Sequence, residues 1–343
     1  MKFRAKNVIM EMMKKLNFAK IFGWIFLLIL VGGSIFVGVN FRRIQDYFKV
    51  KNFKPSAEIL QIVEKIKPTE SGKQIFYATN PQLLPAENFN QNCGNYFEQT
   101  TVLGCYRDDS IFVFSVENED LNGVEEVTAA HELLHAVWAR MSESKRKDLG
   151  AKLQAEYERV KTSELEELMA SYAKTEPGQE TNELHSILGT EIADLSSDLE
   201  QYYAKIFKNR SEIVQLNENY QSKFKTLKSR AETLDAELVA LKGEIDAQSD
   251  DYSAKVDILN GDIATFNANA DSGYYWSEQA FYADRARLLA RVDYLESYRA
   301  QINAKVDEYN TKSAELQSIS SQIQKLYDSL NSKIEKVEQA TSL

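Results

Sequence analysis

VTAAHELLHAVWAR, Val127 to Arg140, holds His131 and His135, two of the three histidines in the chain. Its residues suit a helix, and residues four apart on a helix share a face. Two imidazole nitrogens can then reach one ion at about 2.0–2.1 Å. Glu132 sits about 100° round the helix from His131, beside such an ion and not on it. From there it can take a proton from a water at the ion, the part of a general base. Ala129, Ala130, Leu133, Leu134, Ala136 and Val137 make the helix apolar nearly all round, which predicts burial. A buried group of two histidines and a glutamate needs partners, and Zn2+ is the expected one. The alternative is a core helix whose histidines are satisfied by internal hydrogen bonds.

Zinc needs a third protein ligand and one open position. Candidates lie downstream in TNELHSILGTEIADL, Thr181 to Leu195. His185 would complete a three-histidine site. Glu183 and His185 are two apart, so a regular helix points them to opposite sides and they compete. Glu191 stands two helical turns beyond Glu183, and either Glu191 or Asp194 can instead orient His131 from behind.

The HELLH stretch resembles the zincin metallopeptidases, whose active helix carries this motif in uncharged surroundings. The resemblance covers roughly residues 57–207, and only HELLH is specific. It implies an α+β catalytic domain with a small sheet, whose edge strand takes up extended substrate before the active helix. Glu183 in NELHS looks like the Asn-Glu-x-x-small pattern of the gluzincins, which implies Glu183 as third ligand beside His131 and His135. The spacing departs from several gluzincins, since Ile187 stands four beyond Glu183 where they have Asp. An oxyanion donor is also required, and His185, Tyr172, Tyr202 and Tyr203 are available.

The remaining chain places this domain. The net charge of -10 argues against a nucleic-acid partner. With only 14 Gly and 5 Pro in 343 residues, long uninterrupted helices are expected. Ile21 to Val39 is uncharged and long enough to cross a bilayer as a helix. Lysines and arginines flank both ends, slightly more before it, so residues 1–20 are expected in the cytoplasm and the domain outside. A cleaved signal peptide is the rival reading. Residues 40–56 read as a basic linker. On the outer side Cys93 and Cys105 can pair as a disulfide across a hairpin-like segment. Unpaired, they would be two small hydrophobes.

Ala57 to Ile66 reads as a short helix, and Gln74 to Ala78, Thr100 to Cys105 and Ile111 to Val116 read as strands. Asn90 to Gly94 looks turn-like. A helix from Gly123 to about Arg140, one or two helices over Ser142 to Ala173, a loop over TEPGQETN (Thr175 to Asn182) and a helix from Glu183 to about Asp194 complete the domain. Residues 208–343 then form a long antiparallel α-helical coiled-coil hairpin with its turn near 267–281. Its first seam runs through Phe224, Leu234, Leu241, Tyr252, Leu259 and Phe266, with a skip before Tyr252. The second runs through Leu288, Leu295, Arg299, Ile302, Val306, Ser313, Ser320 and Leu330.

The expected protein is a single-pass, membrane-anchored zinc metallopeptidase facing the extracytoplasmic side. Its substrate is a protein or peptide, and the coiled coil offers a site for a protein partner. The rival is a surface structural or adhesion protein whose coiled arm does the work and whose zincin-like domain is inactive. Hydrolysis of a non-peptide amide, as in cell-wall material, is a third reading.

Overall fold

The computed structural model describes residues 18–94 and 102–332. Most of the basic segment 1–20 lies outside them, as do Thr100 and Thr101 of the predicted strand. In chain order the elements are α1 (Phe18–Asn52), α2 (Ala57–Ile66), α3 (Glu70–Ala78), β1 (Gln82–Leu84), α4 (Ala86–Cys93), β2 (Gly104–Arg107) and β3 (Ser110–Phe114). There follow α5 (Val124–Ala139), α6 (Glu143–Val160), α7 (Ser163–Thr175), α8 (Glu180–Thr190), α9 (Ser197–Tyr203), α10 (Arg210–Asp271) and α11 (Glu278–Leu330). The protein is thus mostly helical with one small sheet. Two compact units emerge, Met1–Asn219 with Asn331–Leu343, and Tyr220–Leu330.

In the first unit the strand order is β1-β3-β2. β1 runs parallel to β3, and β2 runs antiparallel to it, with Gly104 opposite Val113 and Arg107 opposite Ser110. Asp108 and Asp109 close the β2–β3 hairpin, both with positive φ. That is the twist a two-residue hairpin turn requires, and Asp tolerates it. β2 is therefore an edge strand. Cys93 and Cys105 form a disulfide, with Cα atoms 6.0 Å apart. It joins the end of α4 to β2, where the sequence suggests a bridge within a hairpin. Asn90 to Cys93 is the last turn of α4.

QIFYA, Gln74–Ala78, is helical, against the strand expectation. Thr69 caps α3 by accepting a hydrogen bond from the Gly72 N–H, and Glu70 sits in the first turn. These local end signals outweigh the β preference of Ile75, Phe76 and Tyr77. Phe76 is fully buried. α2 matches its expected bounds, Ala57–Ile66, capped by Ser56.

α5 lies at the centre of this unit. Val124, Ala129, Ala130, Leu133, Leu134 and Ala136 are almost fully buried. α8 packs alongside it at Gly189. A Cβ at Gly189 would collide with Leu134 Cδ1 and stand 2.7 Å from Tyr203 Cε1. Gly189→Ala is expected to lower stability by about 1–3 kcal/mol through overpacking, measurable by denaturant unfolding. Arg210, itself buried, fixes the far end of α8. It donates to the carbonyls of Leu188 at 3.3 Å and Ile192 at 2.6 Å, and pairs with Glu200.

Among the described residues no single helix is long and apolar enough to cross a membrane. Trp24–Gly38 and Asn40–Asn52 meet the length and composition test together, bent by 65°. The bend falls where the apolar run gives way to Arg42 and Arg43. Trp24, Phe26, Leu28, Ile29 and Phe36 are exposed along the first part.

In the second unit α10 and α11 are joined by a turn at Gly273, whose φ is positive. Ser277 caps α11, accepting from the Ala280 N–H at 3.1 Å. Arg230 meets Glu315, Glu237 meets Lys312, Glu244 meets Lys305 and Asp262 meets Arg291. As the first number rises the second falls, so the two helices run antiparallel. On α10 half-buried Gln248 stands at the skip before Tyr252. The α11 seam corrects the sequence reading. Arg299, Val306, Ser313 and Ser320 are exposed, while Tyr298, Lys305, Lys312 and Ile319 turn inward. The two lysines cover the seam with their methylene stems and keep their ammonium groups on the carboxylates opposite.

Candidate metal centre

α5 presents its histidines as the four-residue spacing requires. The His131 and His135 rings lie 4.8 Å apart between centroids. His131, Glu132 and His135 offer ligand atoms that all lie within 4.8 Å of one another, so the group could hold a metal ion. A fourth residue closes the arrangement from another helix. Glu183, in the first turn of α8, sets Oε2 3.5 Å from His131 Nε2 and Oε1 3.4 Å from His135 Nε2.

Two carboxylates thus border the imidazoles, and their surroundings differ. Glu132 is buried. The Tyr106 backbone N–H on β2 favours its charged form as the smallest of several influences, and among the described residues Oε2 has no hydrogen-bond partner. Gly104 backs onto the same side chain, and a Cβ there would stand 2.9 Å from Glu132 Cγ. Burial pushes the Glu132 carboxyl up to about 8, and the Glu183 charge adds to this while His135 opposes it. Glu183 goes the other way. Burial pushes it up, but the charges of His135 and His131 and a hydrogen bond from His131 outweigh burial and hold it below the ordinary value. The bridging geometry makes Glu183 the better candidate to share an ion with the imidazoles. Glu132, tied to the edge strand, is placed to handle a proton.

Ser186, one turn along α8 from Glu183, sets Oγ 3.3 Å from His135 Nδ1. The direction of this hydrogen bond follows the imidazole tautomer; with an ion held at Nε2, Nδ1 would carry the proton and donate to Ser186. Ser186 is the small residue of the NELHS pattern, so the sequence held a signal for it. Glu176 had none. It lies in the α7–α8 loop, and burial together with the Glu183 charge pushes its carboxyl up to about 7. The Tyr172 hydroxyl is pushed up by burial and by the charges of Glu183, Glu191, Glu132 and Glu176. It stays a proton donor beside the carboxylates.

His185 turns its ring nitrogen to a different partner. His185 is fully buried and donates or accepts at Nε2 with the Tyr202 hydroxyl, 2.8 Å away. Its ring stacks on Tyr203 and lies against Trp138. Burial drives its basicity well down. The Tyr203 hydroxyl is engaged too, donating to the His185 carbonyl at 2.7 Å. His185, Tyr202 and Tyr203 therefore pack the back of α8. Glu191 closes α8, where burial pushes its carboxyl up and the His131 charge opposes it. Asp194 is exposed, and its carbonyl accepts from Arg159.

Compared with protein-family models, with curated proteins and with solved structures, the chain matches none. The functional reading rests on the site itself.

Proposed function

We propose that the chain is a zinc-dependent metallopeptidase of the zincin kind with a gluzincin-like ligand set, His131, His135 and Glu183. The observation that carries this reading is the single carboxylate of Glu183 set against both Nε2 atoms. Its separations of 3.5 and 3.4 Å exceed those of good charge-assisted hydrogen bonds. They suit co-ligands instead, since tetrahedral zinc with bonds near 2.0–2.2 Å separates its ligand atoms by about 3.4 Å. The surplus of carboxyls, with buried Glu132 and half-buried Glu176 both pushed up, also favours a cation at this place.

Zinc, when bound there, polarises a water and the scissile carbonyl. Glu132 accepts the proton of that water and passes it to the leaving amine. Tyr106 holds the Glu132 carboxylate in reach, and β2, an edge strand beside α5, suits an extended peptide added as a further strand. Tyr172 is the candidate donor to the developing oxyanion.

The exposed apolar face of α1 supports a membrane anchor. The Cys93–Cys105 disulfide supports an oxidising, extracytoplasmic location for the domain. α10 and α11 are read as an antiparallel coiled-coil hairpin that positions substrate or docks a protein partner. The test is cleavage of an unstructured protein by the full chain, with bound zinc measured, in wild type and Glu132→Gln. Zinc bound with no cleavage by either form would favour the structural rival.

Ser186→Ala is expected to weaken zinc binding by about 10–100-fold by releasing His135 from its orienting partner. Competition with a chromogenic chelator measures it.

A further inference from the structure

The stretch after the apolar run reads as a linker in the sequence, yet it is bonded into the catalytic domain. Asp46 takes one edge of the Arg140 guanidinium with both carboxylate oxygens, Nε and Nη2 each donating at 3.0 Å. Arg140 closes α5, the helix of His131, Glu132 and His135, and its side chain is only 8% exposed. It also donates to the Ala136 carbonyl at 3.0 Å, the Tyr106 hydroxyl at 3.3 Å and Asp109 at 3.0 Å. Asp109, in the β2–β3 turn, takes Arg42 and Lys49 from α1, each at 2.6 Å, and the Tyr106 hydroxyl at 2.8 Å. Tyr106 and Gly104 bring β2 against Glu132: a Cβ at Gly104 would stand 2.9 Å from Glu132 Oε1, and the Tyr106 backbone N–H favours the carboxylate.

We propose that Asp46 is a positioning residue for Glu132: through Arg140 and the Asp109 turn it fixes edge strand β2, so that Tyr106 keeps the carboxylate in its working place. The inference rests on the peptidase reading for the role of Glu132, but the brace itself is a matter of structure. A buried guanidinium that loses its carboxylate is strongly destabilised where it sits. Among the described residues Asp109 is the other carboxylate on Arg140, so loss of Asp46 pulls on the hairpin turn and thus on Tyr106. Asp46, with Arg42 and Lys49 on the same helix, is then part of the brace, and a chain cut near Lys54 loses all three.

The experiment uses the full chain in detergent, with Asp46→Asn, Asp46→Glu and, as a control on the same helix, Lys51→Gln. Asp46→Asn should lower kcat by about tenfold or more, with bound zinc and KM much less affected, because the general base is misplaced by a fraction of an ångström. Asp46→Glu should recover most of the rate, and Lys51→Gln should leave it unchanged. Hydrogen exchange supplies a reading independent of activity. In Asp46→Asn the Tyr106 amide should exchange faster by about tenfold or more while the core amides of Val113 and Leu133 keep their protection. Unchanged rate and unchanged Tyr106 exchange would overturn the proposal. So would a uniform loss of protection at Val113 and Leu133, which would make Asp46 a general stabiliser. If the wild type cleaves nothing, the peptidase reading fails, and the Tyr106 exchange alone decides whether the brace exists.

Discussion

Glu132→Gln is expected to lower kcat by about 10²–10⁴, the range associated with a positioned general base, while zinc content and KM change little. Gln keeps the shape and can still accept the Tyr106 N–H, so β2 and α5 should stay in place. What disappears is the ability to receive a proton. The same variant has a second, opposite signature in chelated protein. Burial pushes the Glu132 carboxyl from its ordinary 4.5 up to about 8. Below about pH 4.5 the group is protonated in both folded and unfolded chains and contributes no pH dependence. As pH rises from there towards 8, the unfolded chain gives up the proton and the folded chain keeps it. Stability of the metal-free wild type therefore falls across this window, by up to about 1.4 kcal/mol per pH unit from this one group, and levels off above it. Glu132→Gln lacks that loss. Chelated Glu132→Gln should thus unfold at a higher temperature than chelated wild type at pH 8, and the two should converge near pH 4. Equal midpoints at both pH values would show that the carboxyl is not held in a desolvated place. Zinc bound at the proposed site would invert these electrostatics, because a divalent charge nearby stabilises the carboxylate.

How far the sequence alone reached depends on whether a feature is local. His131, Glu132 and His135 sit within two turns of one helix, so their shared site follows from helical spacing alone. The bounds of α2 are equally local. QIFYA failed because a five-residue aromatic and β-branched run was weighed without Thr69 and Glu70 before it. The α11 seam held at Leu288, Leu295, Ile302 and Leu330 but slipped by one residue at Arg299, Val306, Ser313 and Ser320, for a different reason. Lys305 and Lys312 count as polar in a hydrophobicity pattern, but their stems bury while their charges meet Glu244 and Glu237 on the opposite helix. Taking the next apolar or small residue instead shifted the seam onto Val306 and Ser313. The parts of the candidate centre that come from distant segments left weaker traces. Ser186 could be read from the NELHS pattern. Glu176 stands in a breaker-rich loop with no periodicity to place it. The chain from Asp46 through Arg140 to Tyr106 joins residues up to 94 positions apart, and only the fold brings them together.

The choice between Glu183 and His185 is where sequence spacing left two answers, and it yields the second large expected effect. Both lie on α8, two residues apart, and point to different sides. Glu183 faces His131 and His135, while His185 faces Tyr202, Tyr203 and Trp138. Glu183→Ala should weaken zinc binding by more than the roughly 10–100-fold that removing an outer partner of a ligand costs, and cleavage should vanish with the metal. His185→Ala should do something else. It opens a space among packed rings and strips the Tyr202 hydroxyl of its partner, which should destabilise the fold by about 1–3 kcal/mol for the unsatisfied hydroxyl alone. Zinc should stay bound near stoichiometry at temperatures where the variant is folded. Dialysis against a zinc buffer, followed by metal analysis and thermal unfolding of both variants, separates the two roles. Metal lost from His185→Ala and retained by Glu183→Ala would reverse the assignment. A ligand is recognised by loss of metal from a chain that still folds, whereas a packing residue is recognised by loss of fold in a chain that still binds. The opposed faces of α8 predict that each residue shows one behaviour and not the other.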